Sequence, residues 1–282
     1  MKNTIFIFFI FIFHSTNACN CLTFKEAQKK SIASNKFILL HFGNSFYADD
    51  NNKGYLKMSD DNENNRFLSD NYIYVCVYKS ESPEIYSNYK IEFSPQLLVV
   101  DANANEIIRF SEKNTNIEIV NALKNFTIPI NFFASEFKSY QIKQGYSTAL
   151  RLALKYFDYS FLIDFNLKKN VFKIAETYLI EAEKELSKKD EKFIEKIQKI
   201  QLFKLYHWAY NKNLDVLNEK LALIKPDSIH EDNIMIYYFL KYASAKALQT
   251  DNFSEIEKQV NQMEGFEYYK QKADLIININ YN

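Results

Sequence analysis

The sequence contains little glycine, proline or cysteine: 4 Gly, 4 Pro and 3 Cys among 282 residues. The low glycine and proline counts exclude collagen-like, linker-like and glycine-rich all-β proteins. Three cysteines are too few for a disulfide framework, so the hydrophobic core must hold the fold together. Lys plus Arg equals Asp plus Glu, 35 against 35. Since no basic excess exists to neutralise phosphates, we predict no nucleic-acid partner.

The composition is that of a folded globular protein, with 47% hydrophobic and 25% charged residues. The length suits one large domain or two ordinary ones. After the first segment, no apolar run approaches the 18 or so residues of a membrane-spanning helix. We therefore expect no transmembrane helix.

Residues 1–18 have the pattern of a secretory signal peptide. A single basic residue, Lys2, precedes the unbroken apolar run Ile5–Phe13, and small residues follow. Thr16 and Ala18 suit the −3 and −1 positions of a cleavage site before Cys19. A second interpretation stays open, in which Cys19 is a lipoprotein cysteine that tethers the chain to a membrane. Either interpretation predicts export to a periplasmic or extracellular compartment.

Residues 19–128 are expected to form one domain in which helices and strands alternate. Continuous apolar runs at 36–42 and 72–78 predict buried strands, and Asp101–Asn105 predicts a turn between strands at 95–100 and 106–110. Helices are expected at 22–36, 60–70, 84–90 and 115–126, the first with a capping box between Thr23 and Glu26. This order predicts a central sheet covered by helices on both faces.

Residues 131–282 carry no strand signal after the break at Pro129, and apolar residues recur there at spacings of three and four. We therefore predict an all-α domain of stacked helical hairpins. Tyr178, Tyr210 and Tyr242 are 32 residues apart. With the stretch 242–253, this weak echo resembles a tetratricopeptide repeat, although the full repeat pattern is missing. An irregular helical bundle is the alternative.

Several segments of residues 22–126 match those of a known family, in the same order and at the right separations. The matching segments are Ala27, Lys36–Gly43, Asn44-Ser45-Phe46, Phe67-Leu68, Tyr72–Val75, Tyr89-Lys90-Ile91 and Ser94–Asp101. On these segments, over about 105 residues, the chain resembles the exported thioredoxin-like domains, in the branch that has a helix before the first strand. The resemblance implies an α/β thioredoxin-like fold for this part of the chain.

The chemistry departs from that family at its redox motif. The family's W-C-x-x-C falls on Phe46-Tyr47-Ala48-Asp49-Asp50, so both cysteine positions are occupied by other residues. Family members attack disulfides with the first thiolate and resolve the product with the second. Neither Tyr47 nor Asp50 can do this, so the motif is degenerate and we predict no dithiol oxidoreductase activity there.

A peptide-binding edge is the function that the resemblance leaves open. In the family, the loop before a cis-proline pairs its backbone with an extended substrate chain, and by resemblance Pro95 is that proline. An apolar patch with an exposed backbone edge would suit β-augmentation by a peptide. The alternative is a loop with only an architectural role. The predicted peptide-binding residues are Phe46, Tyr47, Phe93, Ser94 and Pro95.

The remaining cysteines and histidines carry weaker signals. Cys19 and Cys21 form the only close thiol pair, which gives an alternative redox pair or, more simply, residues of the processing site. We expect Cys76 to be a buried, inert thiol and His41 a satisfied core or rim histidine. No histidine occurs in a metal-binding motif, and no phosphate-binding loop is present, so we predict neither a metal nor a cofactor.

Three classes of function remain open on these grounds. The leading hypothesis is an exported, redox-inactive thioredoxin-like module that holds an unidentified peptide or protein partner. The second is a thiol–disulfide oxidoreductase that uses Cys19 and Cys21 or a partner's thiol. The third is a structural component of an envelope assembly, which lipidation at Cys19 would favour.

Overall fold

The computed structural model describes residues 22–43, 63–94, 96–110, 114, 116–125, 133–163 and 165–278. Within these ranges a small mixed sheet with its helices is followed by a part that is entirely helical. The strands are β1 (Phe37–Gly43), β2 (Tyr72–Tyr78), β3 (Gln96–Val100) and β4 (Glu106–Phe110). The helices around them are α1 (Phe24–Ser34), α2 (Glu63–Asn71), α3 (Pro83–Asn88) and α4 (Asn116–Asn125).

The capping box predicted at the first helix is present. The Thr23 hydroxyl accepts a hydrogen bond from the Glu26 backbone N–H at 3.3 Å, and the Glu26 carboxylate accepts one from Thr23 N–H at 2.9 Å. Two N–H groups that α1 would otherwise leave without a partner are therefore satisfied. The helix ends at Asn35 in the left-handed region with φ 52°, which directs the chain into β1.

The four described strands form one sheet in the order β2-β1-β3-β4. β1 and β2 are parallel and connected through α2, whereas β3 runs antiparallel to both β1 and β4. The predicted β3–β4 hairpin is therefore confirmed. A register shift between Val99 and Val100 marks an irregularity in this pair, close to the turn.

Both faces of the sheet are covered, as the alternation of elements predicts. On one face Ile38, Leu40 and Phe42 are fully buried in a cluster that includes Ala27 of α1 and Tyr86 of α3. Side chains alternate between faces along a strand. Phe37 and Leu39 of β1 therefore pack on the opposite face. They share a cluster with Leu68 of α2 and with Ile119 and Leu123 of α4.

The second part is helical throughout its described residues, as predicted. Breaks occur near 160, 188, 211, 225 and 250, where the sequence predicts them. Three further breaks, at 143–145, at Leu205 and at 262–266, were not predicted. Two 3-10 turns, Pro226–Ser228 and Glu231–Asn233, lie before α11. The helices are α5 (Ala134–Ile142), α6 (Tyr146–Tyr159), α7 (Phe165–Lys184), α8 (Phe193–Lys204), α9 (Tyr206–Tyr210), α10 (Leu214–Ala222), α11 (Ile234–Leu248), α12 (Phe253–Asn261) and α13 (Glu267–Asn278).

The sheet and the helical part share a single hydrophobic cluster. The ring of Phe37 in β1 lies 6.4 Å from that of Phe133 and 6.2 Å from that of Tyr159 at the end of α6. All three side chains are buried to 1% exposure or less. The two predicted domains are therefore packed directly on each other. None of the helices in the described ranges is both long and apolar enough to span a membrane.

Candidate functional site

The predicted peptide-binding loop lies at the end of the first strand. In the antiparallel pair of β1 and β3, Phe42 is opposite Gln96. Phe93 and Ser94 come just before Gln96, so the register brings them to the edge of the sheet where β1 finishes at Gly43. Loops at strand ends, held by a rigid sheet, are common positions for binding residues in proteins.

A buried tyrosine, Tyr86, contacts the ends of β1 and β2 next to this loop. The hydroxyl of Tyr86 donates to the Gly43 carbonyl at 2.6 Å and lies 3.2 Å from the carbonyl of Val77. Its ring packs edge-on against Phe42, with centroids 5.0 Å apart. Burial raises the pKa of Tyr86, and a hydrogen bond with the Ser94 side chain opposes that rise. Tyr86 therefore connects the ends of β1 and β2 with the candidate loop.

Arg109 of β4 contacts residues on both sides of the same loop. Its guanidinium donates to the Tyr89 carbonyl at 2.7 Å and to the side chain of Gln96 at 3.3 Å. The same group forms an ion pair with Glu106 at 2.6 Å. Because the planar guanidinium has five donors in a fixed geometry, one side chain can hold both ends of the 89–96 segment.

The exposed group at this edge is the ring of Phe93, which is 71% exposed. Ser94 beside it is half-buried. Of the residues predicted to bind peptide, these two are described, and they lie together at the end of β1. Phe46, Tyr47 and Pro95 lie outside the described residues, as do Asp50 and the pair Cys19 and Cys21. Their predicted roles stay predictions.

A histidine and a tyrosine lie near the same strand ends on the face of the sheet opposite to Phe42. His41 Nδ1 and the Tyr74 hydroxyl are hydrogen-bonded at 2.5 Å, which bears out the expectation of a satisfied histidine. Burial lowers the pKa of His41 to about 4. The imidazole is therefore neutral at physiological pH, because burial disfavours the charged form.

Cys76 of β2 lies directly beside His41 of β1 in the parallel register of the two strands. The expectation of a buried thiol is wrong, because Cys76 is only half-buried. Tyr74 and Tyr78, on the same face of this strand, are also half-buried. Only one face of β2 is therefore fully buried. Ile73, Val75 and Val77 lie on that face, whereas Tyr74, Cys76 and Tyr78 on the other face are half-buried. Among the described residues Cys76 has no disulfide partner.

A second set of hydrogen bonds in the sheet part centres on Asp101, whose partners the sequence did not predict. Asp101 is fully buried at the turn between β3 and β4. Its carboxylate accepts hydrogen bonds from the backbone N–H groups of Asn103 and Asn105, both at 2.8 Å, and from the side chains of Asn105 and Tyr156. Burial raises the pKa of Asp101, and these hydrogen bonds oppose the rise.

A second tyrosine extends this network to α7. The amides of Asn103 and Asn105 donate to the Tyr178 hydroxyl at 2.7 and 2.9 Å, and the Tyr178 ring stacks on Tyr156 at 5.8 Å. Both rings are almost fully buried. The network therefore joins the β3–β4 turn to two helices of the second part. The only signal in the sequence is an Asp directly after a buried strand, followed by two asparagines.

Comparison of the chain with protein-family models, with curated proteins and with solved structures found no match.

Proposed function

We propose that this chain is an exported, redox-inactive thioredoxin-like protein that binds an extended peptide segment of a partner. The binding edge is the 93–95 loop beside the end of β1. The helical part supports the sheet from its second face. No thiol exchange is assigned to the motif positions Tyr47 and Asp50, because neither side chain can form a mixed disulfide.

The arrangement of the sheet supports the thioredoxin-like assignment. The resemblance rests on a buried strand, a helix, a second buried strand, and then a hairpin that begins after a proline. In the described sheet, parallel β1 and β2 are connected through α2, and the β3–β4 hairpin lies against β1. The resemblance implies this spatial order, so the described sheet supports the proposal.

The observation that carries the binding proposal is that Phe93 is exposed while the segment that bears it is held by hydrogen bonds. The ring of Phe93 is 71% exposed. The segment that carries it is fixed by hydrogen bonds from Arg109 to the Tyr89 carbonyl and the Gln96 side chain, one on each side of Phe93. Tyr86 adds a hydrogen bond with the side chain of Ser94. A rigid backbone with an exposed aromatic side chain loses little conformational entropy on binding, and aromatic residues are enriched among the residues that dominate binding energy.

The experiment is selection of peptides from a displayed random library by the purified protein. We expect the wild-type chain to enrich a common motif, and Phe93→Ala and Ser94→Arg to lose it. Ser94→Arg adds a long charged side chain at the edge where a peptide backbone would lie. Tyr268→Ala is the matched control, because Tyr268 is 60% exposed in α13 and belongs to the helical part.

If Phe93→Ala and Ser94→Arg enrich the same peptides as the wild type, the loop is not the binding edge. A disulfide-reduction assay on the same preparations separates the enzyme alternative. Turnover that disappears when Cys19 and Cys21 are changed to Ser would replace the binding function with a thiol–disulfide oxidoreductase.

A further inference from the structure

We propose a binding site for a divalent transition-metal cation of the zinc class at the junction of α8 and the 3-10 turn Glu231–Asn233. The ligands are the carboxylates of Glu195 and Asp232 and the imidazole of His230. This site lies in the helical part and is independent of the peptide-binding edge.

The three ligand atoms are already close together. One carboxylate oxygen of Glu195, one of Asp232 and a ring nitrogen of His230 all lie within 4.8 Å of one another. Zinc binds such oxygen and nitrogen atoms at about 2.0–2.2 Å, so ligands around it are about 3.3–3.6 Å apart. The side chains of His230 and Asp232 are 41% and 48% exposed. They can therefore move the remaining distance by side-chain rotation.

A buried polar atom without a partner lies at this junction. Asn233 is fully buried, and its side-chain oxygen has no hydrogen-bond partner among the described residues. Its amide nitrogen donates to the Glu195 carbonyl at 2.9 Å and to Gln198 at 3.0 Å, which fixes the amide at the junction. A buried oxygen without a donor is unfavourable, and a water or ion is the usual explanation for one.

A hydrated cation held by Glu195 would bring water molecules to this junction, and one of those waters could satisfy the orphaned oxygen of Asn233.

The contacts that Glu195 and His230 make with neighbouring side chains and backbone in this structure are long. Glu195 lies 3.5 Å from Lys192 and 3.4 Å from Lys199, well beyond the 2.7–2.9 Å that is usual for a charged hydrogen bond. His230 Nδ1 accepts only a 3.2 Å hydrogen bond from the Asp232 backbone N–H. A cation with two positive charges would displace the lysines and neutralise two carboxylates that lie close together.

The donor set selects the class of cation. One imidazole and two carboxylates, with open positions for water, suit zinc and its first-row neighbours. Calcium and magnesium prefer oxygen ligands alone, so the imidazole argues against them. No sequence motif marks this site, because Glu195 and His230 are 35 positions apart and come together only through packing of α8 against the 3-10 turn.

The experiment is calorimetric titration of the purified, metal-stripped protein with zinc chloride. We expect one saturable site whose affinity falls at least tenfold in Glu195→Gln and in His230→Asn. His230→Asn retains a side-chain oxygen that can accept from Asp232 N–H, so the turn stays capped. Glu231→Gln is the matched control, because it removes a carboxylate from the same turn outside the ligand set, and it should bind zinc like the wild type.

Circular dichroism on each variant checks that the helices are intact, and His230→Asn decides the outcome if Glu195→Gln fails to fold. Equal affinities in the wild type, Glu195→Gln and His230→Asn would overturn the proposal. A zinc signal that disappears in a variant with all three cysteines changed to Ser, and not in His230→Asn, would overturn it as well. Failure of peptide selection at Phe93 would leave the zinc result unchanged.

Discussion

The hydroxyl of Tyr156 in α6 donates a hydrogen bond to the fully buried carboxylate of Asp101 at the β3–β4 turn. The two residues are 55 positions apart in the chain. This contact, with those of Asn103 and Asn105 to Tyr178, makes the sheet and the helical part depend on each other. A buried carboxylate is costly unless several donors satisfy it, so each member of the network should affect stability.

Tyr156→Phe should lower the free energy of unfolding by about 1–3 kcal/mol, because it removes a donor from a buried carboxylate. Tyr159→Phe is the matched control. Tyr159 is equally buried, but its hydroxyl has no hydrogen-bond partner among the described residues, so its removal should cost nothing or stabilise the protein. Urea unfolding measures both variants. Equal losses in the two would show that the hydrogen bond to Asp101 contributes nothing measurable.

Asp101→Asn should change the pH dependence of stability. The folded-state pKa of Asp101 is raised by burial, so the group favours the folded state most at low pH, and this contribution is lost as the pH rises through the folded pKa. The wild type should therefore lose stability relative to Asp101→Asn as the pH increases above about 4. Urea unfolding of both proteins from pH 4 to 8 measures this difference. A difference that stays constant with pH, or grows in the opposite direction, contradicts the prediction.

His41 should have the opposite effect at acid pH. Burial lowers its pKa to about 4, so the neutral imidazole stabilises the fold above the ordinary histidine pKa of about 6.5. That contribution should be lost as the pH falls from about 6.5 towards 4. NMR titration of the imidazole C–H signals of His41 tests this directly. A midpoint near 6.5 for His41 would contradict the assignment.

The ion pair between Lys272 and Asp158 should contribute more than a surface pair. Lys272 Nζ lies 2.7 Å from Asp158 and over the rings of Tyr206 and Tyr210, and its side chain is only 10% exposed. Asp158→Asn leaves this buried ammonium without its counter-charge and should cost about 3 kcal/mol.

The control for that pair is Asp274→Asn, which removes the partner of Lys246. Those side chains are 34% and 42% exposed, so the loss should stay below about 1 kcal/mol. Thermal or urea unfolding compares the two variants. If the two substitutions cost the same, burial of the Lys272 pair has no energetic consequence.

The sequence alone determined the described strands of this fold and the start of its first helix. The run Tyr72–Tyr78 and the segment Glu106–Phe110 were predicted to the residue as strands, because continuous or alternating β-forming residues between polar turns leave little choice. The capping box of Thr23 and Glu26 could also be predicted, since its contacts span only three residues. That only helices follow the last described strand was also predicted, from where the strand pattern stops.

Only the tertiary structure decided which polar side chains meet. Nothing local to Asp101 indicates that Tyr156 and Tyr178 supply its partners, or that Glu195 lies beside His230 and Asp232. The half-exposure of Cys76 was likewise set by what covers the end of β2 and not by its alternating pattern. Local propensity acts over a few residues, whereas burial and hydrogen-bond partners depend on how distant segments pack, and a single sequence carries no direct record of that packing.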